Sequence, residues 1–169
     1  IGGGTCDVAV ISLGGIAASR SIKVGGDAFD EAIVNHMKKA HNLLIGKNTA
    51  EDIKLKIGSV SEYDGEGAMD VKGRNLTDGL PKSVEVTSAE IRDVLAEPVS
   101  KIIASIKETL EVTLPELASD IIDRGIYLAG GSSQLRGLPE LIAKETKMQV
   151  HIPEKPLDCV AIGLSLIHI

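Results

Sequence analysis

The residues best suited to chemistry lie in a glycine-rich turn near the start of the sequence. Gly2, Gly3 and Gly4 are followed by Thr5 and then by Asp7, where an alternating β-branched segment begins. Glycines allow backbone N–H groups to approach an anion, and successive N–H groups in a turn form an anion-binding concavity. Thr5 could add a hydroxyl donor, and Asp7 could hold a cation or a water beside phosphates. An ordinary turn before a strand explains the same glycines, so the rest of the chain must decide.

Two further glycine-rich breaks have the same form. They are Gly25-Gly26-Asp27 and Gly130-Gly131-Ser132-Ser133, and each follows a predicted strand. In an open α/β sheet, ligands bind at the carboxyl ends of strands, where such loops gather. The later loop is the more specific, since its two glycines precede a predicted helix and would let a ring or a phosphate approach the backbone. The alternative is a plain turn with Ser132 or Ser133 as the helix cap.

Glu51 and Lys54 form a candidate pair for a polar ligand. They lie three positions apart and therefore share one face of a predicted helix. The carboxylate could accept hydrogen bonds from hydroxyl groups, and the ammonium could donate. The alternative is a capping-box glutamate paired with Asn48 and an ordinary solvated lysine.

The remaining reactive side chains match no catalytic or metal-binding motif. Cys6 and Cys159 are isolated, and Ser12 and Ser133 lack a GxSxG context. The histidines show no HExxH-type pairing, so we assign no metal ligand and expect neither a zinc site nor a zinc hydrolase. The missing GxSxG context likewise argues against a serine hydrolase. We expect both cysteines to be reduced, buried thiols. The four histidines are His36, His41, His151 and His168.

The composition indicates a globular protein without a nucleic-acid partner. The chain has 169 residues, of which 43% are hydrophobic and 25% charged, enough for one sizeable core or two small lobes. One Phe, two Tyr and no Trp leave few rings on which bases could stack, and the net charge of -6 disfavours polyanions. No apolar run is long enough to span a bilayer, and a reducing cytoplasm fits best.

The hydrophobic pattern predicts the elements that would position these loops. A hairpin through Leu13-Gly14-Gly15 joins the first two strands, and Asp27 caps a helix with Phe29, Ile33, Met37 and Ala40 on one face. The predicted strands are 7–12, 16–24, 68–73, 82–86, 126–129 and 148–152. The predicted helices begin at 27, at 49 with Asn48 or Thr49 as cap, at the capping box 87–90, at 115, at 137 and at 157. Within the longest, Pro98 should kink or divide the helix.

The order of these motifs resembles one family. In turn, the chain contains IGGGTCDVAVISLGG, VGGDAFDEAIV, TAEDIKLKIG, PELASDIIDRGIYLAGGSSQLRGL and PLDCVAIG. Over about residues 1–163 this is similar to the carboxy-terminal half of the MreB family, the bacterial actin-like rod-shape-determining proteins. The resemblance implies an α/β fold, half of the two-domain actin-like, ribonuclease-H-like ATPase fold. Residues 1–29 and 91–163 would form the nucleotide-cleft subdomain, with 30–90 as a smaller inserted α+β subdomain.

The resemblance also implies ATP and Mg²⁺ as cofactors, bound in a cleft between two domains. The family's phosphate 2 loop corresponds to Gly2–Thr5, which would donate to the β- and γ-phosphates, and Asp7 would arrange the cation and its waters. The adenosine motif corresponds to Gly130–Ser132. The helix that carries Glu51 and Lys54 corresponds to one that contacts ribose and adenine.

Three departures from the family pattern stand out. Ser132 replaces a third glycine often found in the adenosine motif. The family's acidic residue before the Ile-Gly-Gly-Gly run, its phosphate 1 loop, its catalytic glutamate region and its membrane-binding segment lie outside this chain, which we therefore expect to be a fragment. Residues 164–169 do not continue the expected Gly-rich turn, and we interpret them as a non-native tail.

We therefore hypothesise that the chain is half of a filament-forming ATPase. The intact protein would be a weak ATPase that self-associates into filaments and works with the cell-elongation machinery at the cytoplasmic face of the inner membrane. This chain alone, with one wall of the cleft, should be inactive and bind ATP poorly. One alternative is another ATPase of the actin, chaperone and sugar-kinase superfamily, although 59–86 offers no sugar pocket and no substrate domain follows 163. The other is a non-catalytic fragment that acts only as a binding module.

Overall fold

The computed structural model describes residues 1–166, which fall into two compact units. The first unit contains 1–26, 100–134 and the described chain from 138 onward; the second contains 27–99 and 135–137. The sequence instead suggests boundaries at 29/30 and 90/91. The later boundary differs because it falls inside a continuous helix rather than at its start.

The elements alternate between strands and helices. In chain order they are β1 (Cys6–Ser12), β2 (Gly15–Ile22), α1 (Gly26–His41), β3 (Leu43–Leu44), α2 (Lys47–Ile57), β4 (Ala68–Asn75), β5 (Pro81–Thr87), α3 (Ser88–Glu111), α4 (Pro115–Arg124), β6 (Ile126–Tyr127), a 3-10 helix (Gly131–Gln134), α5 (Leu138–Thr146), β7 (Val150–His151) and α6 (Cys159–Leu166). Of the predicted tail, Leu164–Leu166 complete α6, and 167–169 lie outside the described residues.

The first unit begins with the predicted hairpin. Strands β1 and β2 pair antiparallel from Cys6 opposite Ile22 to Ser12 opposite Gly15. Gly14 adopts φ +76 in the turn, a left-handed conformation that glycine takes without steric cost. The hairpin prediction is confirmed.

The same unit contains a parallel strand pair joined by a helix. Strands β6 and β7 pair in parallel, with α5 between them along the chain, and Leu138 and Ile142 of α5 are fully buried. Helix α4 begins at Pro115, as predicted, and its last residue is Arg124, with Gly125 as the C-cap. The prediction of a buried strand over 126–129 is wrong in extent, because only two residues pair and Tyr127 is 71% exposed.

The second unit packs two helices and part of α3 with a three-stranded antiparallel sheet. The strand order is β3-β4-β5, and β3 is absent from the strands predicted from the sequence. Phe29, Ile33 and Met37 are fully buried, which confirms the apolar face of α1. Ala40 is exposed, so its assignment to that face is wrong; the last turn of α1 extends past the core.

Helix α3 remains continuous through Pro98. Pro98 removes one helical N–H and its ring crowds the preceding turn, which would favour two separate helices. Leu95 and Val99 on either side are buried, as are Ile102 and Ile106 one and two turns later. Burial of this stripe holds the helix together. Of the two outcomes predicted for Pro98, a division of the helix is therefore wrong, whereas a kink stays a prediction.

The capping box that opens α3 is only half formed. The Glu90 N–H donates to the Thr87 hydroxyl at 3.3 Å, as a cap requires. The Glu90 carboxylate, however, accepts from His36 and His41 of α1. Burial by itself would raise the pKa of Glu90, but these two histidines outweigh it and leave that pKa below its usual range.

Helix α2 starts earlier than predicted. It begins at Lys47 with Gly46 as its N-cap, and no side chain caps it, so the prediction of Asn48 or Thr49 as cap is wrong.

Cys6 is buried, as expected, whereas Cys159 is only half-buried; both are free thiols. Among the described residues, no helix is both long and apolar enough to cross a bilayer.

Candidate functional site

The three glycine-rich loops meet around the first two residues of the chain. The Gly2 carbonyl oxygen accepts from the Gly26 N–H at 3.0 Å and from the Ser132 hydroxyl at 2.8 Å. The Ile1 carbonyl oxygen accepts from the Ser132 N–H at 3.2 Å, and the Ile1 amino group donates to the Ala129 carbonyl oxygen at 2.5 Å. Loops separated by more than a hundred residues are thus joined by backbone-directed hydrogen bonds within the first unit.

Two of these glycines are required by the close approach of backbone. A Cβ on Gly25 would lie 2.5 Å from the Gly2 carbonyl oxygen and 2.6 Å from that of Gly3. A Cβ on Gly130 would lie 2.3 Å from the Ile1 carbonyl oxygen, and Gly130 also adopts φ +91. Real Cβ atoms do not come this close to backbone, so any larger residue would force the loops apart.

The opposite side of the first loop is open to solvent. The Gly2 N–H donates to the Thr5 carbonyl oxygen at 2.9 Å and closes the turn. Gly3, Gly4 and Thr5 are exposed. In the part of the chain that the structure describes, their backbone N–H groups donate to no protein acceptor. A short run of unpaired, solvent-facing N–H groups suits an anion.

Asp7 is ionised beside this loop. Hydrogen bonds from Ser21, its partner across the hairpin, and from the Thr5 hydroxyl at 3.1 Å hold the pKa of Asp7 below its usual range. Donors to the charged form of a carboxylate favour that form. The exposed Asp7 side chain therefore presents a negative charge next to unpaired N–H groups.

The Ser132 and Ser133 hydroxyl groups of the third loop donate to different carbonyl oxygens. The buried Ser133 hydroxyl donates to the Gly130 carbonyl oxygen at 2.7 Å and fixes the turn, whereas the Ser132 hydroxyl reaches Gly2. The alternative in which either serine caps an α-helix is wrong, because 131–134 form a 3-10 helix and α5 begins at Leu138. Sequence reasoning considered Ser132 as a helix cap, as part of the adenosine motif and as a replaced glycine, and it missed the bond to Gly2.

Glu51 and Lys54 both belong to the second unit, where Lys54 is paired with an aspartate of α1. Lys54 Nζ lies 2.7 Å from Asp30 Oδ1, with 12% and 9% of the two side chains exposed, while Glu51 is exposed. The solvated-lysine alternative is therefore wrong. The capping-box alternative for Glu51 is also wrong, because Gly46 caps α2. Sequence reasoning missed Asp30, although its spacing from Ile33 and Met37 places it on the apolar face of α1.

Comparisons with known proteins agree on one family. The family model for MreB/Mbl protein matches residues 1–168. The chain is 48% identical over 163 residues to the cell shape-determining protein Mbl of Bacillus subtilis, covering 96% of this chain and 49% of that relative. Crystal structures of MreB 5 of Spiroplasma citri bound to AMPPNP and to ADP superpose with a TM-score of 0.95 at 42% identity. They match 99% of this chain and 50% and 51% of theirs, so this chain spans about half the length of the proteins it matches.

Replacing Gly130 should be far more harmful than replacing Gly14. Both adopt positive φ, but no atom lies within 4 Å of a Cβ at Gly14. Gly14→Ala should cost about 1–2 kcal/mol for the left-handed conformation. Gly130→Ala should cost about 1–3 kcal/mol more because its methyl group collides with the Ile1 carbonyl. Equal free energies of unfolding for the two variants, measured with urea, would contradict the close packing of the loops.

The titration of Asp7 should depend on its hydroxyl neighbours. Its pKa, followed by carbon-13 NMR of the carboxyl, should lie below the usual range and rise more in Ser21→Ala than in Thr5→Ala, since Ser21 is the stronger cause. Because the folded-state pKa is lowered, the contribution of Asp7 to stability is present above its unfolded pKa and is lost as the pH falls through the folded value. An unchanged pKa in both variants would refute this account.

Proposed function

Because this chain belongs to the MreB/Mbl family, we propose that it is the nucleotide-binding carboxy-terminal half of a filament-forming, cell shape-determining protein. It has the mixed α/β fold of about half of an actin-like MreB chain. The observation that carries the proposal is the meeting of the three glycine-rich loops, which leaves unpaired N–H groups beside an ionised aspartate. The chain order, with the phosphate-side hairpin before the nucleoside-side loop, supports its assignment to the carboxy-terminal half.

The first loop provides the phosphate contacts in this proposal. Gly2–Thr5 form a turn whose outer N–H groups have no acceptor within residues 1–166, and these groups would donate to the β- and γ-phosphates of ATP. The relatives from Spiroplasma citri bind AMPPNP and ADP, which carry phosphates of this kind. The Ser132 bond to Gly2 would keep the turn in place when a highly charged ligand arrives.

Asp7 provides the cation contact. Mg²⁺ prefers oxygen ligands and usually keeps several waters, so an exposed, ionised carboxylate suits its hydrated form. Bound Mg²⁺ would neutralise charge on the phosphate oxygens. We assign to Asp7 the role of holding the waters that surround the Mg²⁺ ion.

The nucleoside contacts come from two further elements. Gly130–Ser132 present a backbone without bulky side chains, and Glu51 can accept hydrogen bonds from ribose hydroxyls. Lys54 Nζ lies 2.7 Å from Asp30 Oδ1, and this ion pair fixes where the ammonium group is presented. We propose that Lys54 is positioned by Asp30 rather than freely mobile.

An exposed apolar hairpin tip supports self-association. Ile11 and Ile16 face each other in register across β1 and β2, and they are 72% and 70% exposed. Leu13, between them in the turn, is fully exposed. Exposed apolar clusters mark protein contacts. We propose that the longer protein forms filaments in the cytoplasm at the inner membrane surface, together with the cell-elongation machinery and without nucleic acid.

This chain alone should bind Mg-ATP weakly and should not hydrolyse it. Phosphate clamping from two domains is a property of the whole nucleotide cleft, and this chain spans only about half of its relatives. Isothermal titration calorimetry should therefore give a Kd above about 100 μM, weaker than about -5.5 kcal/mol. Nanomolar binding by the isolated chain would show that its residues suffice and would overturn the half-site argument.

The longer protein should form an ATP-dependent polymer that needs Asp7. Sedimentation should recover more protein with Mg-ATP than with Mg-ADP, and Asp7→Asn should reduce phosphate release at least tenfold, because the cation's waters lose an anionic partner. Asp70→Asn, at an exposed aspartate of β4, is the matched control and should change neither. A protein that stays monomeric in every nucleotide state, or that phosphorylates sugars, would favour the other ATPase classes instead.

A further inference from the structure

Two histidines and a glutamate converge in the second unit, away from the glycine-rich loops in sequence. His36 and His41 lie on α1, and Glu90 lies in the first turn of α3. His36 Nε2 is 2.5 Å from Glu90 Oε1, and His41 Nε2 is 2.6 Å from the same oxygen. The two imidazole rings meet edge to face with centroids 5.8 Å apart.

The convergence has the chemistry of a transition-metal site. The three potential ligand atoms all lie within 4.8 Å of one another. Two imidazole nitrogens and one carboxylate oxygen are the donor set that Zn²⁺ takes in sites that keep one open position. Mg²⁺ and Ca²⁺ prefer oxygen alone, so this donor set discriminates against them.

The spacing of the ligands requires only a small adjustment to accept an ion. In a tetrahedral zinc site with bonds of about 2.0–2.1 Å, neighbouring ligand atoms lie about 3.3–3.4 Å apart. The two N···O distances would therefore have to lengthen by less than about 1 Å. The two imidazole nitrogens, which lie within 4.8 Å of each other, would have to settle at about 3.3–3.4 Å, and side-chain rotation can supply both changes. The three side chains are 23–26% exposed, so they are restrained by packing and still reachable from solvent.

We propose that His36, His41 and Glu90 bind a divalent transition metal of the zinc type, which ties the second half of α1 to the start of α3. Water would complete the coordination. The ion would take the place of the proton that each imidazole otherwise directs from Nε2 at the carboxylate oxygen. A neutral ring would then carry its proton on Nδ1, and a charged ring would release one proton to water. The Glu90 backbone N–H remains bonded to Thr87, so the same residue caps α3 and holds the metal.

Lys82 brings a positive charge close to His41. Its ammonium donates to the His41 carbonyl oxygen at 3.2 Å, which places a positive charge beside the histidine backbone. The anionic Glu90 ligand offsets the charge of the ion. Lys82→Met should therefore leave metal affinity unchanged or strengthen it, and it should not weaken it.

The sequence pattern does not show this site. The histidines are five positions apart, which puts them on different faces of an uninterrupted helix. Helix α1, however, ends at His41, and Asn42 adopts φ 51. Glu90 lies 49 positions further along and matches a capping box. The expectation that no zinc site exists rested on short-range spacing alone.

Metal titration of the whole chain, purified without a polyhistidine tag, tests the proposal. In competition with a chromophoric chelator, one Zn²⁺ should bind per chain, with a Kd in the micromolar range or lower. Co²⁺ should give the visible absorption of a tetrahedral site. His36→Gln and His41→Gln should each weaken Zn²⁺ binding at least about 100-fold, exceeding the loss typical of outer residues. His151→Gln, at the histidine stacked on Tyr127 in the other unit, is the matched control and should bind as the parent does.

Two measurements keep the test decisive if a variant folds poorly. In the unaltered chain, one equivalent of Zn²⁺ should shift the imidazole nitrogen signals of His36 and His41 but not those of His151. Zn²⁺ at about a hundredfold excess over Kd should also raise the melting temperature by roughly 5–10 °C. Absence of one-equivalent binding, unshifted His36 and His41 signals, or parental affinity in either ligand variant would each overturn the proposal.

Discussion

The carbonyl oxygens of Ile1 and Gly2 are the point on which the candidate nucleotide site depends. They accept hydrogen bonds from Gly26 and Ser132, and they lie where any Cβ on Gly25 or Gly130 would collide. The close backbone approach thus engages the Ile1 and Gly2 carbonyl oxygens. The N–H groups of Gly3–Thr5, on the outer side of the turn, have no acceptor among the described residues. The anion-binding role that we propose for the loop therefore depends on how the three loops pack.

The charged and polar groups around this turn suit a ligand that combines an anion with a cation. The N–H groups of the exposed turn favour an anion, while the ionised Asp7 favours a cation next to it. A nucleotide phosphate with its metal ion satisfies both demands at once. Lys54, by contrast, has its charge balanced by Asp30 within the second unit.

Glu90 shows how one residue can serve two structural purposes. Its backbone caps α3 through Thr87, and its carboxylate gathers His36 and His41 from α1. A glutamate that reached back to close its own capping box would leave both imidazoles without this partner. A metal at the triad would convert a contact between two helices into a cross-link, which stabilises the second unit without adding to its apolar core.

The sequence by itself determined the features that depend on near neighbours. The Gly14 hairpin, the buried face through Phe29, Ile33 and Met37, and the bounds of α4 follow from periodicity and turn chemistry. Only the tertiary structure decided the continuity of α3 at Pro98, the Ser132 bond to Gly2, the Lys54 pair with Asp30 and the histidine–glutamate triad. Each of these depends on burial or on partners remote in sequence, and local spacing carries no information about which distant group a polar side chain will meet.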